Sequence, residues 1–143
     1  MILRVFIVED EEMIRKGLVH TINWAGMGCL VVGSAADGRS GLSSILQKRP
    51  DVVITDIRMP KMDGIELVQK MQSLEHIPLT VAISGYDDFA YAVEMLRNGV
   101  REYILKPIER EKITEILKKL NAEIESRKEK EENNQKIGYQ QMR

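Results

Sequence analysis

Asp51–Val52–Val53–Ile54–Thr55–Asp56–Ile57–Arg58–Met59–Pro60–Lys61–Met62–Asp63–Gly64 is the stretch that decides how this chain folds. The β-branched run Val52–Val53–Ile54 shows no polar alternation. Such a run reads as a strand covered on both faces, as in a parallel sheet. Asp56 stands where the strand should stop. Pro60 interrupts the chain after it, and Asp63 with Glu66 three residues on gives an N-cap and capping-box pattern for the next helix. Asp56 is therefore expected at the carboxyl end of a buried strand, on a loop into a helix. In open α/β sheets that edge is where ligands bind. One Asp after a strand is more often a turn former than a reactive group. The weight therefore falls on what the other strand ends carry.

Working outward, residues 2–8 read as the first strand, closed by Glu9–Asp10–Glu11–Glu12. Ile14, Leu18 and Ile22 give the first helix one apolar face. Residues 23–28 break it, and residues 29–32 form the second strand, closed by Gly33. Asp37–Gly38 starts the second helix, with Leu42, Ile45 and Leu46 inward. The third strand is residues 51–55. The third helix runs from residue 64 to about residue 73, with Leu67, Val68, Met71 and Leu74 inward. Residues 79–83 form the fourth strand. The fourth helix spans about 87–98 with Phe89, Ala92, Val93 and Leu96 inward, leaving Tyr91 and Met95 on an outer docking surface. Gly99 caps it. Residues 100–105 form the fifth strand, and Ile113, Ile116, Leu117, Leu120 and Ile124 line the fifth helix. Five strands alternating with five helices predict an α/β fold. It is a doubly wound, five-stranded parallel sheet with helices on both faces.

The 143 residues suffice for one domain with a substantial core. With 21 basic and 22 acidic residues, bulk charge suggests neither a nucleic-acid nor a membrane surface. No apolar run reaches transmembrane length and no signal peptide precedes the first strand, so a cytoplasmic location is expected. The single Cys29 excludes a disulfide framework and reads as a buried small hydrophobe. His20 and His76 are isolated and read as structural or solvated. From residue 126 the chain turns to mixed charge, and 126–143 is expected to extend helix five or serve as a linker.

The strand ends place Glu9 and Asp10, Asp56, Ser84 and Lys106 along one edge. Clustered carboxylates repel and require a compensating cation. Such oxygen donors suit Mg²⁺, which takes one or two carboxylates and completes its shell with water and phosphate oxygens. A lysine opposite can neutralise and position a phosphoryl group, and a hydroxyl can hydrogen-bond one of its oxygens. A carboxylate nucleophile forms an aspartyl phosphate. Phosphoryl transfer asks mainly for positioning and charge stabilisation, and this set supplies both.

Four segments together resemble the response-regulator receiver family of two-component systems. They are Val8–Glu9–Asp10–Glu11, Thr55 through Gly64, Ala82–Ile83–Ser84–Gly85–Tyr86 and Tyr103–Ile104–Leu105–Lys106–Pro107. The resemblance covers residues 1–125 in order. It implies a flavodoxin-like sheet of order 2-1-3-4-5 and phosphorylation of Asp56 by a histidine kinase. It implies Mg²⁺ bound by Asp10, Asp56 and the Arg58 carbonyl, with Glu9 acting through water. Lys106 would face the phosphate, and Ser84 and Tyr103 would be the switch hydroxyl and switch aromatic. The Lys106–Pro107 peptide is expected to be cis. The resemblance also implies a face of helix four, strand five and helix five that controls an output domain or pairs with a second copy. Glu9–Asp10 stands where many receivers have two Asp, and Ser84 where Thr is frequent. Asn23–Trp24–Ala25–Gly26–Met27–Gly28 and Ser84 through Ala92 are similar to receivers fused to AraC-type helix-turn-helix domains. That output domain is not in this chain, and the receiver itself is expected to make no direct nucleic-acid contact.

Two alternatives compete. A haloacid-dehalogenase-type phosphatase also uses an Asp nucleophile with Mg²⁺, but it wants a second Asp two residues on, where this chain has Arg58. An interaction module that is never phosphorylated would be expected to lack Asp56, Asp10 or Lys106, and all are present. At most the chain would catalyse its own phosphorylation and dephosphorylation.

Overall fold

The computed structural model describes residues 2–85 and 89–141, with side chains to residue 133. Strands β1 (Leu3–Val8), β2 (Cys29–Ala35), β3 (Val52–Asp56), β4 (Leu79–Ser84) and β5 (Glu102–Leu105) form one parallel sheet of order β2-β1-β3-β4-β5. Helices α1 (Glu12–Thr21), α2 (Gly38–Lys48), α3 (Gly64–Met71), α4 (Phe89–Arg97) and α5 (Arg110–Gln141) alternate with them. This is the doubly wound fold expected from the strand–helix alternation.

Because successive side chains on a strand point to opposite faces, the central strands feed two cores. Leu3, Val5 and Ile7 of β1, with Val52 and Ile54 of β3, pack beneath Leu18 of α1 and Ile113, Leu117 and Leu120 of α5. Phe6, Val8 and Val53 point the other way, against Ile45 of α2, Leu67, Val68 and Met71 of α3, and Ala92 and Met95 of α4. β3 is buried at every position, as its unbroken apolar run predicts.

Local signals act where the sequence places them. The Asp37 carboxylate accepts from the Ser40 N–H at 2.8 Å, and the Asp63 carboxylate from the Glu66 N–H at 2.9 Å, starting α2 and α3. Gly99 takes φ 97° and ends α4, while the Val100 N–H reaches back to the Met95 carbonyl at 3.1 Å. Trp24 is buried and donates from Nε1 to the Leu18 carbonyl at 3.0 Å, pinning the end of α1. Cys29 is buried, as expected. A ring nitrogen of His76 lies 3.0 Å from the Pro50 carbonyl oxygen, and His20 is exposed.

The structure corrects several expectations. β2 continues past Gly33 to Ala35, and β5 begins at Glu102 instead of residue 100. In α4, Phe89 (70% exposed) and Leu96 (44%) face outward, whereas Met95 is fully buried. The pairing of Tyr91 with Met95 on an outer surface therefore fails at Met95. Two apolar stripes of helical spacing overlap at Ala92, and the helix packs on the other one. Leu46 also points out, because α2 approaches the sheet through Gly38, Gly41 and Ile45. The open choice for the C-terminal segment resolves as helix: α5 runs unbroken to Gln141. The expected start of α4 near residue 87, and Tyr86, lie outside the described residues. No helix among the described residues is long and apolar enough to cross a membrane.

Candidate functional site

The order β2-β1-β3 places β1 and β3 side by side, with Val8 in register with Thr55. Glu9–Asp10 and Asp56 therefore emerge together at the carboxyl edge. Carboxylate oxygens of Glu9, Asp10 and Asp56 all lie within 4.8 Å of one another. Glu9 and Asp56 are buried, and Asp10 is exposed. One Asp56 oxygen accepts the Ile57 N–H at 2.8 Å, and the other takes Lys106 Nζ at 3.1 Å. Lys106 Nζ also lies 3.6 Å from Glu9 and 3.9 Å from Glu11. Its backbone N–H donates to the Ser84 carbonyl at 2.8 Å, and the Lys106–Pro107 peptide is cis. The lysine that follows β5 thus bridges to acids at the ends of β1 and β3.

Ser84, at the end of β4, is fully buried, and its Oγ has no hydrogen-bond partner among the described residues. A buried hydroxyl without a partner is costly. It offers a donor to any oxygen brought to this edge. Tyr103 lies on β5 at 37% exposure. Arg58 is exposed on the loop after β3, so the expected site residues share one edge, with Tyr103 set on its flank.

Sequence reasoning missed three supporting residues. Glu11 shares Lys106. Arg15 donates from Nη1 to the Glu9 carbonyl at 2.8 Å, fixing the loop between β1 and α1. Gly64 donates its N–H to the Ile57 carbonyl at 2.6 Å and packs against the Asp56 backbone. The run of four acids followed by Arg15 is the signal that could have pointed to the first two.

Electrostatics follow from burial. Glu9 is pushed up to about 8, first by burial, then by a proton shared with Asp56 and by repulsion from it. Lys106 and the Glu11 N–H pull the other way. Asp10 is also raised, by burial and then by Asp56. Burial alone would lower Lys106, but Asp56, Glu9 and Glu11 hold it above its ordinary value. For Glu9 the folded value lies above the ordinary 4.5. Its contribution to stability is therefore complete below about 4.5 and is lost as pH rises through about 8. The metal-free chain is expected to lose thermal stability from pH 5 to 8.5, in part through Glu9. Glu9→Gln should flatten that part, as differential scanning calorimetry would read. An unchanged slope in Glu9→Gln would show that Glu9 does not carry it.

The oxygen donor set and the Glu9 Oε2 atom, which has no hydrogen-bond partner among the described residues, fit a hard divalent cation such as Mg²⁺. The arrangement can hold a cation against two or three carboxylates, with a lysine on one side and a free hydroxyl on another.

A five-stranded 2-1-3-4-5 sheet with acids, a hydroxyl and a lysine at its carboxyl edge defines the receiver class. The response regulator receiver domain family matches residues 5–118, and the chain belongs to that family. It is 34% identical over 121 residues to the transcriptional regulatory protein YesN of Bacillus subtilis, covering 85% of this chain and 33% of YesN. Among solved structures it is similar to the receiver domain of AraT, a response regulator from Geobacillus stearothermophilus. That match has a TM-score of 0.84 and 34% identity, and covers 90% of this chain and 99% of that one. It is also similar to a two-component transcriptional regulator AraC from Clostridium phytofermentans, with a TM-score of 0.77 and 36% identity, covering 90% and 98%. The chain spans a third to under half the length of the curated relatives it matches. The phosphatase alternative is not favoured.

Proposed function

We propose that this chain is a phosphorylation switch in which Asp56 accepts a phosphoryl group from a histidine kinase. The observation that carries this reading is the meeting of Glu9, Asp10 and Asp56 within 4.8 Å, with Lys106 at 3.1 Å from Asp56. An Asp56 carboxylate oxygen attacks the phosphorus of the phosphohistidine. The P–N bond breaks as the O–P bond forms, and the imidazole leaves with the electron pair. Asp10, Asp56 and the Arg58 carbonyl would hold Mg²⁺, with Glu9 acting through water. The ion, when bound, offsets charge on the phosphoryl oxygens. Lys106 pairs with the new phosphoryl oxygens, and Ser84 donates its unpartnered hydroxyl to one of them. That draws the start of the β4–α4 loop inward and lets Tyr103 turn in from its outward position. The change reshapes the α4–β5–α5 face.

In this reading residues 1–125 form the receiver unit, and 126–143 lead to an output domain in the cytoplasm. The length of the relatives and the likeness to the C. phytofermentans regulator favour an AraC-type helix-turn-helix output domain that controls transcription. The altered face also supports pairing with a second copy. The receiver itself makes no nucleic-acid contact, and its only chemistry is on Asp56.

Incubation with a small acyl phosphate and Mg²⁺ should add one phosphate by intact-mass analysis. Asp56→Ala, or withdrawal of the cation, should remove the label completely. Equal labelling of Asp56→Ala would sink the assignment.

A further inference from the structure

The Arg58 guanidinium carbon lies 5.0 Å from the centroid of the Tyr91 ring. The contact joins two segments that the sheet leaves separate. Arg58 follows Asp56 by two residues, on the loop into α3. Tyr91 sits in the first turn of α4, seven residues beyond Ser84. Both side chains are exposed, so the stack crosses the surface instead of filling the core.

α4 has a thin hold on the rest of the molecule. Its buried residues are Ala92 and Met95, while Phe89 and Leu96 face outward. α3 buries Gly64, Leu67, Val68 and Met71 over a similar length. Elements with few buried apolar contacts open most readily. A surface stack therefore accounts for a larger share of the hold on α4 than it would on α3.

We propose that the Arg58–Tyr91 stack is a latch between the phosphoacceptor loop and α4, and that a phosphoryl group on Asp56 opens it by competing for the Arg58 guanidinium. The inference rests on the reading of Asp56 as the phosphoacceptor. Two residues separate the Arg58 and Asp56 Cα atoms by at most about 7 Å. A guanidinium presents a planar fork that matches phosphate oxygens, and charge-assisted bonds of that kind exceed an exposed cation–π contact. The Arg58 side chain then exchanges the Tyr91 ring for the phosphoryl oxygens. With the carboxylate alone it rests on Tyr91 and holds α4. With phosphate present it swings toward the new charge and releases α4. Arg58 and Tyr91 are positioning residues in this scheme, since Asp56 carries the chemistry.

The test has two arms. The first is amide hydrogen exchange across residues 89–97 in the unmodified protein. Arg58→Ala and Tyr91→Leu should each speed exchange by about two- to fivefold, the range an exposed cation–π contact supplies. The double variant should do no more than either single one, because both remove the same contact. Tyr91→Phe keeps the ring and should match the original protein. Additive singles, an unchanged Tyr91→Leu, or a Tyr91→Phe that behaves like Tyr91→Leu would overturn the latch. The second arm is titration with beryllofluoride and Mg²⁺. Tyr91→Leu should bind beryllofluoride about two- to fivefold more tightly, since no latch has to open first, whereas Arg58→Ala should bind it no more tightly than the original protein, because it loses the guanidinium contact together with the latch. Unchanged binding by Tyr91→Leu would overturn the opening step. An original protein that does not bind beryllofluoride at all would overturn the phosphoacceptor reading instead, with the exchange arm still deciding whether the latch exists.

Discussion

Gly64→Ala is expected to cost about 3 kcal/mol or more of unfolding free energy. A β-carbon at Gly64 would stand 2.3 Å from the Asp56 carbonyl oxygen and 2.9 Å from the Ile57 Cα. Both are backbone atoms, so no rotamer change relieves the overlap. The Gly64 N–H is already tied to the Ile57 carbonyl at 2.6 Å. Either α3 must lift from the sheet, uncovering Leu67, Val68 and Met71, or the end of β3 must move and carry Asp56 with it. Urea denaturation should show the loss of stability, and titration with Mg²⁺ should show weaker binding in the protein that stays folded. A stability loss well under about 1 kcal/mol would show that the close approach is relieved cheaply.

Lys106→Ala should have the second largest effect, and it should depend on the cation. Lys106 Nζ faces Asp56 at 3.1 Å, Glu9 at 3.6 Å and Glu11 at 3.9 Å. Removing one partner of a buried charge pair costs about 3–5 kcal/mol. The lysine side chain is 24% exposed, which places the expected loss at the lower end of that range. Without it, Glu9 is driven further toward its neutral form. Mg²⁺ should restore most of the lost stability and should bind more tightly than to the unmodified protein, because it no longer competes with an ammonium group. Beryllofluoride should still bind, but exchange across residues 89–105 should no longer respond. A metal-free Lys106→Ala chain as stable as the original would refute the role of Lys106 as counter-ion.

The sequence was most informative where burial is two-sided. Val52–Val53–Ile54 has no polar member, so only a covered central strand fits it, and Asp56 follows from where that run stops. Glu9, Asp10, Ser84 and Lys106 were legible for the same reason, since each stands where an apolar run ends. The helices were less legible. In α4 two stripes compete, and nothing local decides between Phe89–Leu96 and Met95. In α2 the count of apolar residues favoured Leu46, yet the buried face runs through Gly38 and Gly41, and Gly41 lets the helix close on Val8. Small residues mark close approach and leave no trace in a hydrophobic pattern. The Arg58–Tyr91 stack and the contact of Gly64 with Asp56 were hidden because each depends on a neighbour from another segment.

α5 stays packed on the core as far as Ile124, and the 17 residues after it continue as helix to Gln141. Glu123 is bridged to Arg101 at 2.7 Å and to Arg127 at 3.0 Å, anchoring the point where the helix leaves the sheet. At 1.5 Å per residue the projecting part reaches about 25 Å. It acts as a lever arm with its fulcrum beside β5. A tilt of about 5° at that fulcrum sweeps the far end through about 2 Å. Rearrangements of side-chain size on the β5 flank thus become displacements of backbone size at the distant tip.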